Sequence, residues 1–389
     1  MLNRRILRSK AVQAIYAFNQ CREANYELAK QNIADAFLPD LNSMEVQDRA
    51  ELKKKSKEAI ALFEKQFAGK PITETNEELL KVVKGAFSYY ENLVKKDFVF
   101  FKKHIISETE QIFDWYLMTL FALVKLAEIE ETESTKSGKE SLFGYAESSA
   151  RLLKDNKIIQ LIKDSQAIAM EMLKRSIHWD KPDQELMLKK LLRDVLRKDE
   201  VVLQYMTLTE PSLEQEAELA AHICKNILLK HELTVGYFEE NDSRWDENRA
   251  TIKSLVNKTI KDVKENGALH LMELSPNWEE DKKFFLQLFT STIENDSQYE
   301  KIIGERAKNW DSDRIALTDM AILKAALDEM INFPGIPVKV TINEYIDISK
   351  QLSTPKSKQF INGLLDKASA DLIKDGTIKK SGRGLIDNK

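Results

Sequence analysis

Ile336-Pro337-Val338-Lys339-Val340-Thr341-Ile342-Asn343-Glu344 is followed, past Thr354-Pro355, by Ser357-Lys358-Gln359-Phe360-Ile361-Asn362-Gly363-Leu364-Leu365-Asp366. Pro334 and Pro337 limit the helix before them and fix its turn. Ile342, Ile346, Ile348 and Leu352 form an apolar stripe, which predicts a core helix over 340–352. Asn343 and Glu344 fall on its polar side, where hydrogen bonding to neighbouring helix ends is the default. Thr354-Pro355 reads as an N-cap and N1 pair opening a helix over 355–374. Asn362 and Gly363 read as packing positions, because glycine permits close helix approach at about 1 kcal/mol in propensity.

Upstream the pattern continues. Helices are predicted at 244–265, 276–294, 298–307 and 312–331. Ser212 and Gln215 form a capping-box pattern ahead of Leu219, Ile223 and Ile227, and Asp180 with Pro182 suits another helix start. Further runs fall at 44–67, 77–96, 104–130 and 142–175, with loops at Pro39-Asp40, 69–76 and 131–140. Leu7, Ala11, Ala14, Ile15 and Phe18 recur at helical spacing, with arginines on the opposite face.

Composition agrees. Gly and Pro total 12 and 8 of 389 residues, too few for a turn-rich β fold. Neither GxGxxG nor GxxxxGK[ST] occurs. Charged residues make up 31 % with both signs interspersed, as exposed helix faces require. The fold class expected is all-α, built of helical bundles. The net charge is −4, yet Arg4, Arg5, Arg8, Lys10 and Arg22 all precede the first acid, Glu23. That start shares its arginines with a transit peptide but lacks serine enrichment. The longest apolar stretch, 116–127, is too short to span a bilayer. Cys21 and Cys224 make no disulfide framework, which points to a reducing, cytoplasmic setting.

Two separated pieces together resemble the NusB family of transcription antitermination factors. One is Arg4-Arg5-Ile6-Leu7-Arg8-Ser9-Lys10-Ala11-Val12-Gln13-Ala14-Ile15-Tyr16. The other runs from Trp310 to about Ala370, with Ala321-Ile322-Leu323-Lys324-Ala325-Ala326-Leu327-Asp328-Glu329 and the two stretches quoted first. With Phe284–Arg306, a more divergent family helix, the likeness covers about 100 residues. It implies a basic N-terminal helix (1–21) packed on a NusB-like helical domain (206–375). Between them lies an inserted or expanded helical region (22–205), and a flexible tail (376–389) follows.

The resemblance also implies a function. Family members bind single-stranded leader RNA of ribosomal RNA transcripts with a ribosomal small-subunit protein, NusE, and assemble an antitermination complex on RNA polymerase. On the residues alone, Arg4, Arg5 and Arg8 fit either a solvated or salt-bridged helix face or an anion site at a helix N-terminus. Phe360 fits either a core or a stacking platform beside Lys356 and Lys358. The resemblance assigns Arg4, Arg5, Arg8, Lys10, Lys356, Lys358 and Phe360 to RNA. It assigns Tyr16 and Asp319 to the partner surface, where Tyr16 also reads as a buried residue and Asp319 as an ordinary exposed helix acid.

No catalytic, cofactor or metal constellation is expected. The histidines form no HExxH, no G-x-S-x-G elbow occurs, and Glu218, His222 and Cys224 would need ligands from elsewhere. Two rival readings remain. One is a helical protein–protein scaffold with a NusB-like docking part. The other is an RNA-modifying enzyme, which needs a cofactor-binding α/β domain that the sequence lacks.

Overall fold

The computed structural model describes residues 1–40, 42, 47–72, 74–137, 152–307 and 315–388. Among them are fifteen α-helices and no strand. They are α1 (Arg4–Ala36), α2 (Arg49–Phe67), α3 (Glu77–Ser137), α4 (Lys157–Asp164), α5 (Gln166–Lys174), α6 (Pro182–Asp194), α7 (Glu200–Met206) and α8 (Leu213–His222). Then follow α9 (Glu232–Asn241), α10 (Trp245–Asn266), α11 (Trp278–Glu294), α12 (Asp296–Arg306), α13 (Leu317–Asn332), α14 (Val338–Leu352) and α15 (Ser357–Lys374). The fold is all-α. The chain divides into two compact units, 1–3 with 107–279 and 4–106 with 280–389. Composition marks neither limit. The predicted loop at 131–140 is helix as far as Ser137, and its remainder, like the start of the 142–175 run, lies outside the described residues. So does Trp310.

In the first unit an aromatic cluster carries the core. Phe238 stacks on Trp245 at 4.2 Å, and Trp115 meets both rings edge-on. The Tyr116 hydroxyl pairs with Thr259 Oγ1 at 2.5 Å and accepts from the Met272 N–H. The capping box at Ser212 and Gln215 forms as expected. Helix α6 is capped at Lys181 with Pro182 at its first position, one residue later than Asp180 would place it.

In the second unit α13 is the central helix. Ala321, Ile322, Leu323, Ala325, Ala326, Leu327 and Met330 are all buried, so the helix is surrounded. α1, α12, α14 and α15 pack against it. Four charged residues of α13, Asp319, Lys324, Asp328 and Glu329, are buried with them, and each has partners. Lys324 Nζ donates to Asp296 Oδ1 (2.5 Å) and Glu300 Oε1 (2.7 Å). Asp328 accepts from Ser291 (2.6 Å), Tyr299 (2.8 Å) and Asn332 (2.7 Å). Glu329 receives Arg8, described below. A second cluster in this unit joins α1, α2 and the start of α3 through Ile33, Phe37, Phe63, Val83 and Tyr90.

Several expectations are corrected. The runs at 77–96 and 104–130 belong to one helix, α3. Residues 97–103 hold no Gly or Pro, and Phe98 and Phe101 pack on Phe18 and Phe289, which holds the turn between them helical. Thr354-Pro355 forms a turn, and α15 starts two residues later, with Thr354 Oγ1 against Ser357 Oγ at 2.9 Å. Gly363 is exposed, and a Cβ there would meet nothing within 4 Å, so it does not serve close packing. The tail does not hang free: Ser381 N–H donates to the Pro334 carbonyl and Lys380 Nζ to that of Phe333, both at 3.0 Å. A side chain at Gly384 would collide with the Pro334 carbonyl oxygen, which fixes glycine at that contact.

Candidate nucleic-acid interface

The first turns of α1 carry the arginines, and each is engaged by carboxylates. Arg4 bonds Glu280 (2.7 Å) and Asp281 (3.2 Å), and its guanidinium lies 5.0 Å from the Phe284 ring centre. Arg5 makes a bidentate pair with Glu344 (3.0 and 2.9 Å) and reaches Asp347 at 3.3 Å. Arg8 is different in kind, because its side chain is only 5 % exposed. It forms a bidentate pair with fully buried Glu329 (2.6 and 3.0 Å). Burial alone would lower the pKa of this guanidinium, but the charge and hydrogen bonds of Glu329 outweigh it and raise the pKa. Glu329 also accepts from Thr341 Oγ1 at 2.8 Å. Lys10 is buried too.

Lys356 and Lys358 are exposed at the start of α15. Phe360 is 9 % exposed and belongs to the face of α15 that buries Ile361, Leu364 and Leu365. Its ring face is therefore committed to packing. Asp347 is where the separate elements meet. The Lys350 hydrogen bond, at 2.6 Å, holds its carboxyl below the usual range, helped by the charges of Lys350, Arg5 and Lys358. Arg5 from α1 thus reaches two acids of α14, Glu344 and Asp347. Glu329, Glu344 and Asp347 organise this surface, and in sequence they look like ordinary helix acids.

The two partner residues separate. Tyr16 is 36 % exposed and lines a groove of about 510 Å³ with Arg22, Phe67, Leu317 and Met320. Asp319 is buried and accepts from Ser353 Oγ, so it ties the end of α14 to the start of α13 and is not a solvated acid. Elsewhere His222 pairs with Asp199 at 3.0 Å, and Cys224 is fully buried, which pushes its thiol far up. Among the described residues no group of acid, His and Cys side chains could hold a metal ion. No helix there is long and apolar enough to cross a membrane.

An all-helical unit in which α1 is held to α13 and α14 by the Arg8–Glu329 and Arg5–Glu344 pairs is a helical-bundle domain with a basic helix packed at its start. The NusB family model matches residues 243–370, a span lying partly in each compact unit. The transcription antitermination protein NusB of Salinibacter ruber is 36 % identical over 146 residues, covering 37 % of this chain and 91 % of that protein. Its namesake from Chloroherpeton thalassium is 39 % identical over 106 residues, 27 % of this chain and 50 % of the relative. That of Bacillus licheniformis is 36 % identical over 121 residues, 31 % of this chain and 92 % of the relative. The chain belongs to the NusB family. No solved structure matches it.

Proposed function

We propose that this protein is a non-enzymatic, RNA-binding transcription antitermination factor. It acts with the ribosomal small-subunit protein NusE on leader RNA of ribosomal RNA transcripts, within an antitermination complex on RNA polymerase. Membership of the NusB family supports the class. The observation that carries the site is the pairing of Arg5 on α1 with Glu344 and Asp347 on α14, which ties the N-terminal family-like piece to the C-terminal one. In this reading Arg4, Arg5, Lys356 and Lys358 contact phosphates. Arg8, Lys10 and Phe360 position the helices that carry them, because all three are buried. Tyr16 offers the partner an exposed aromatic, and Asp319 shapes the neighbouring loop.

Arg4 and Arg5 must exchange carboxylates for phosphate, which limits their gain. Arg4→Ala with Arg5→Ala is expected to weaken leader RNA binding and to flatten its salt slope by about 0.7 per lost contact. Affinity measured across a salt series checks this. An unchanged slope removes both arginines from the site.

A further inference from the structure

The middle of α3 reads Lys95-Lys96-Asp97-Phe98-Val99-Phe100-Phe101-Lys102-Lys103-His104. At helical spacing this run has two faces. Asp97, Phe98 and Phe101 point into the second unit: Asp97 accepts from Asn25 at 2.6 Å, and both rings pack on Phe18 and Phe289. The other face is open. Val99 is 62 % and Phe100 54 % exposed, and Lys95, Lys96, Lys102, Lys103 and His104 are exposed around them. His104 stacks on Phe100 at 4.4 Å with 23° between the rings, which extends the flat aromatic surface. Among the described residues none of the four lysines is held by an ion pair, and Lys102 only lies over the Phe98 ring at 5.3 Å.

This contrasts with the start of α1, where every arginine is neutralised by carboxylates. Four available ammonium groups spread over about 12 Å of helix surround two large apolar side chains. Lysines attract any polyanion, but an exposed phenylalanine stacked on a histidine adds what an unpaired base needs: a flat π-face at the centre of positive charge. A duplex would bury its bases out of reach, and an acidic peptide has no use for the ring.

We propose that this face of α3 is a single-stranded RNA-binding surface, separate from the one on α1, α14 and α15. The lysines take phosphates, and Phe100 with His104 stacks a base. The proposal rests on the reading that the protein acts on RNA, and it adds a second contact outside the 243–370 family match.

Fluorescence anisotropy with labelled oligouridylate tests it on the full chain, because stacking tolerates sequence. Phe100→Ala is expected to weaken binding about 5- to 150-fold. Lys96→Ala with Lys103→Ala is expected to reduce the salt slope by about 1.4. Both positions are exposed, and unchanged helicity confirms the fold. Wild-type protein that fails to bind oligouridylate overturns the proposal and leaves the leader-RNA reading standing. So does binding that falls with Arg5→Ala but not with the α3 variants. A loss confined to the lysine variant, with polyaspartate competing as well as RNA, also overturns it and assigns the face to an acidic partner.

Discussion

Arg8→Ala is expected to destabilise the protein by about 3–5 kcal/mol. The cost comes from what the substitution leaves behind. Glu329 has no exposed surface, and without the guanidinium only Thr341 would donate to its carboxylate among the hydrogen bonds it makes now. A buried carboxylate with half its partners is far more expensive than an intact pair is beneficial. Glu329→Ala is expected to cost less, toward 3 kcal/mol, because Glu344 lies 3.6 Å from Arg8 Nη1 and can take over part of the pairing. Arg8→Met combined with Glu329→Leu should recover most of the loss, since a well-packed apolar pair replaces the ions. Urea denaturation of the full chain, followed by circular dichroism, checks all three. A cost under about 1 kcal/mol for Arg8→Ala would return this residue to the surface and to RNA contact.

Stability should also fall as pH rises from about 4.5 to about 8, through Glu130 in the first unit. Its side chain is buried, Oε2 accepts from the Leu153 N–H at 2.7 Å, and Oε1 has no hydrogen-bond partner among the described residues. Burial pushes its pKa up to about 8. In the unfolded chain the group ionises near 4.5, so between the two values the folded state holds a proton that the unfolded state has released. The unfolded state then binds fewer protons, and stability declines with pH until both states are ionised above about 8. The whole effect is about 5 kcal/mol. Glu130→Gln keeps the shape and the acceptor for Leu153 while removing the titration. Its stability should match that of the wild type near pH 4 and exceed it increasingly toward pH 8. Asp328, raised to about 6 by burial, adds a smaller slope of the same sign and is unaffected by that substitution. Identical pH profiles for Glu130→Gln and wild type would show Glu130 already ionised in the folded protein.

The helices themselves were legible from periodicity and caps. α8, α10, α14 and α15 begin within two residues of the expected positions, because Ser212, Pro337 and the apolar stripes are local signals. The continuity of α3 was not. Its Phe98 and Phe101 are turned inward by rings on α1 and α11, and that environment is tertiary. The charges were the least readable. Lys324, Asp328 and Glu329 look in sequence like the exposed charges of other helices, and their burial depends on partners brought in by α1, α11 and α12. Arg8 and Glu329 are 321 positions apart. A basic helix start therefore reads as a nucleic-acid signal, although the structure uses much of that charge to hold α1 to α13 and α14. The tail poses a related difficulty: its glycines suggest freedom in the sequence, whereas Gly384 passes close to Pro334.

Binding of leader RNA of ribosomal RNA transcripts is the activity proposed for this protein. Crosslinking in cells followed by sequencing of the bound RNA tests it most directly. The expected result is enrichment of ribosomal leader sequences, reduced when Arg4 and Arg5 are both replaced by alanine. Recovery of bound RNA with no leader enrichment, or of no RNA at all, would contradict it.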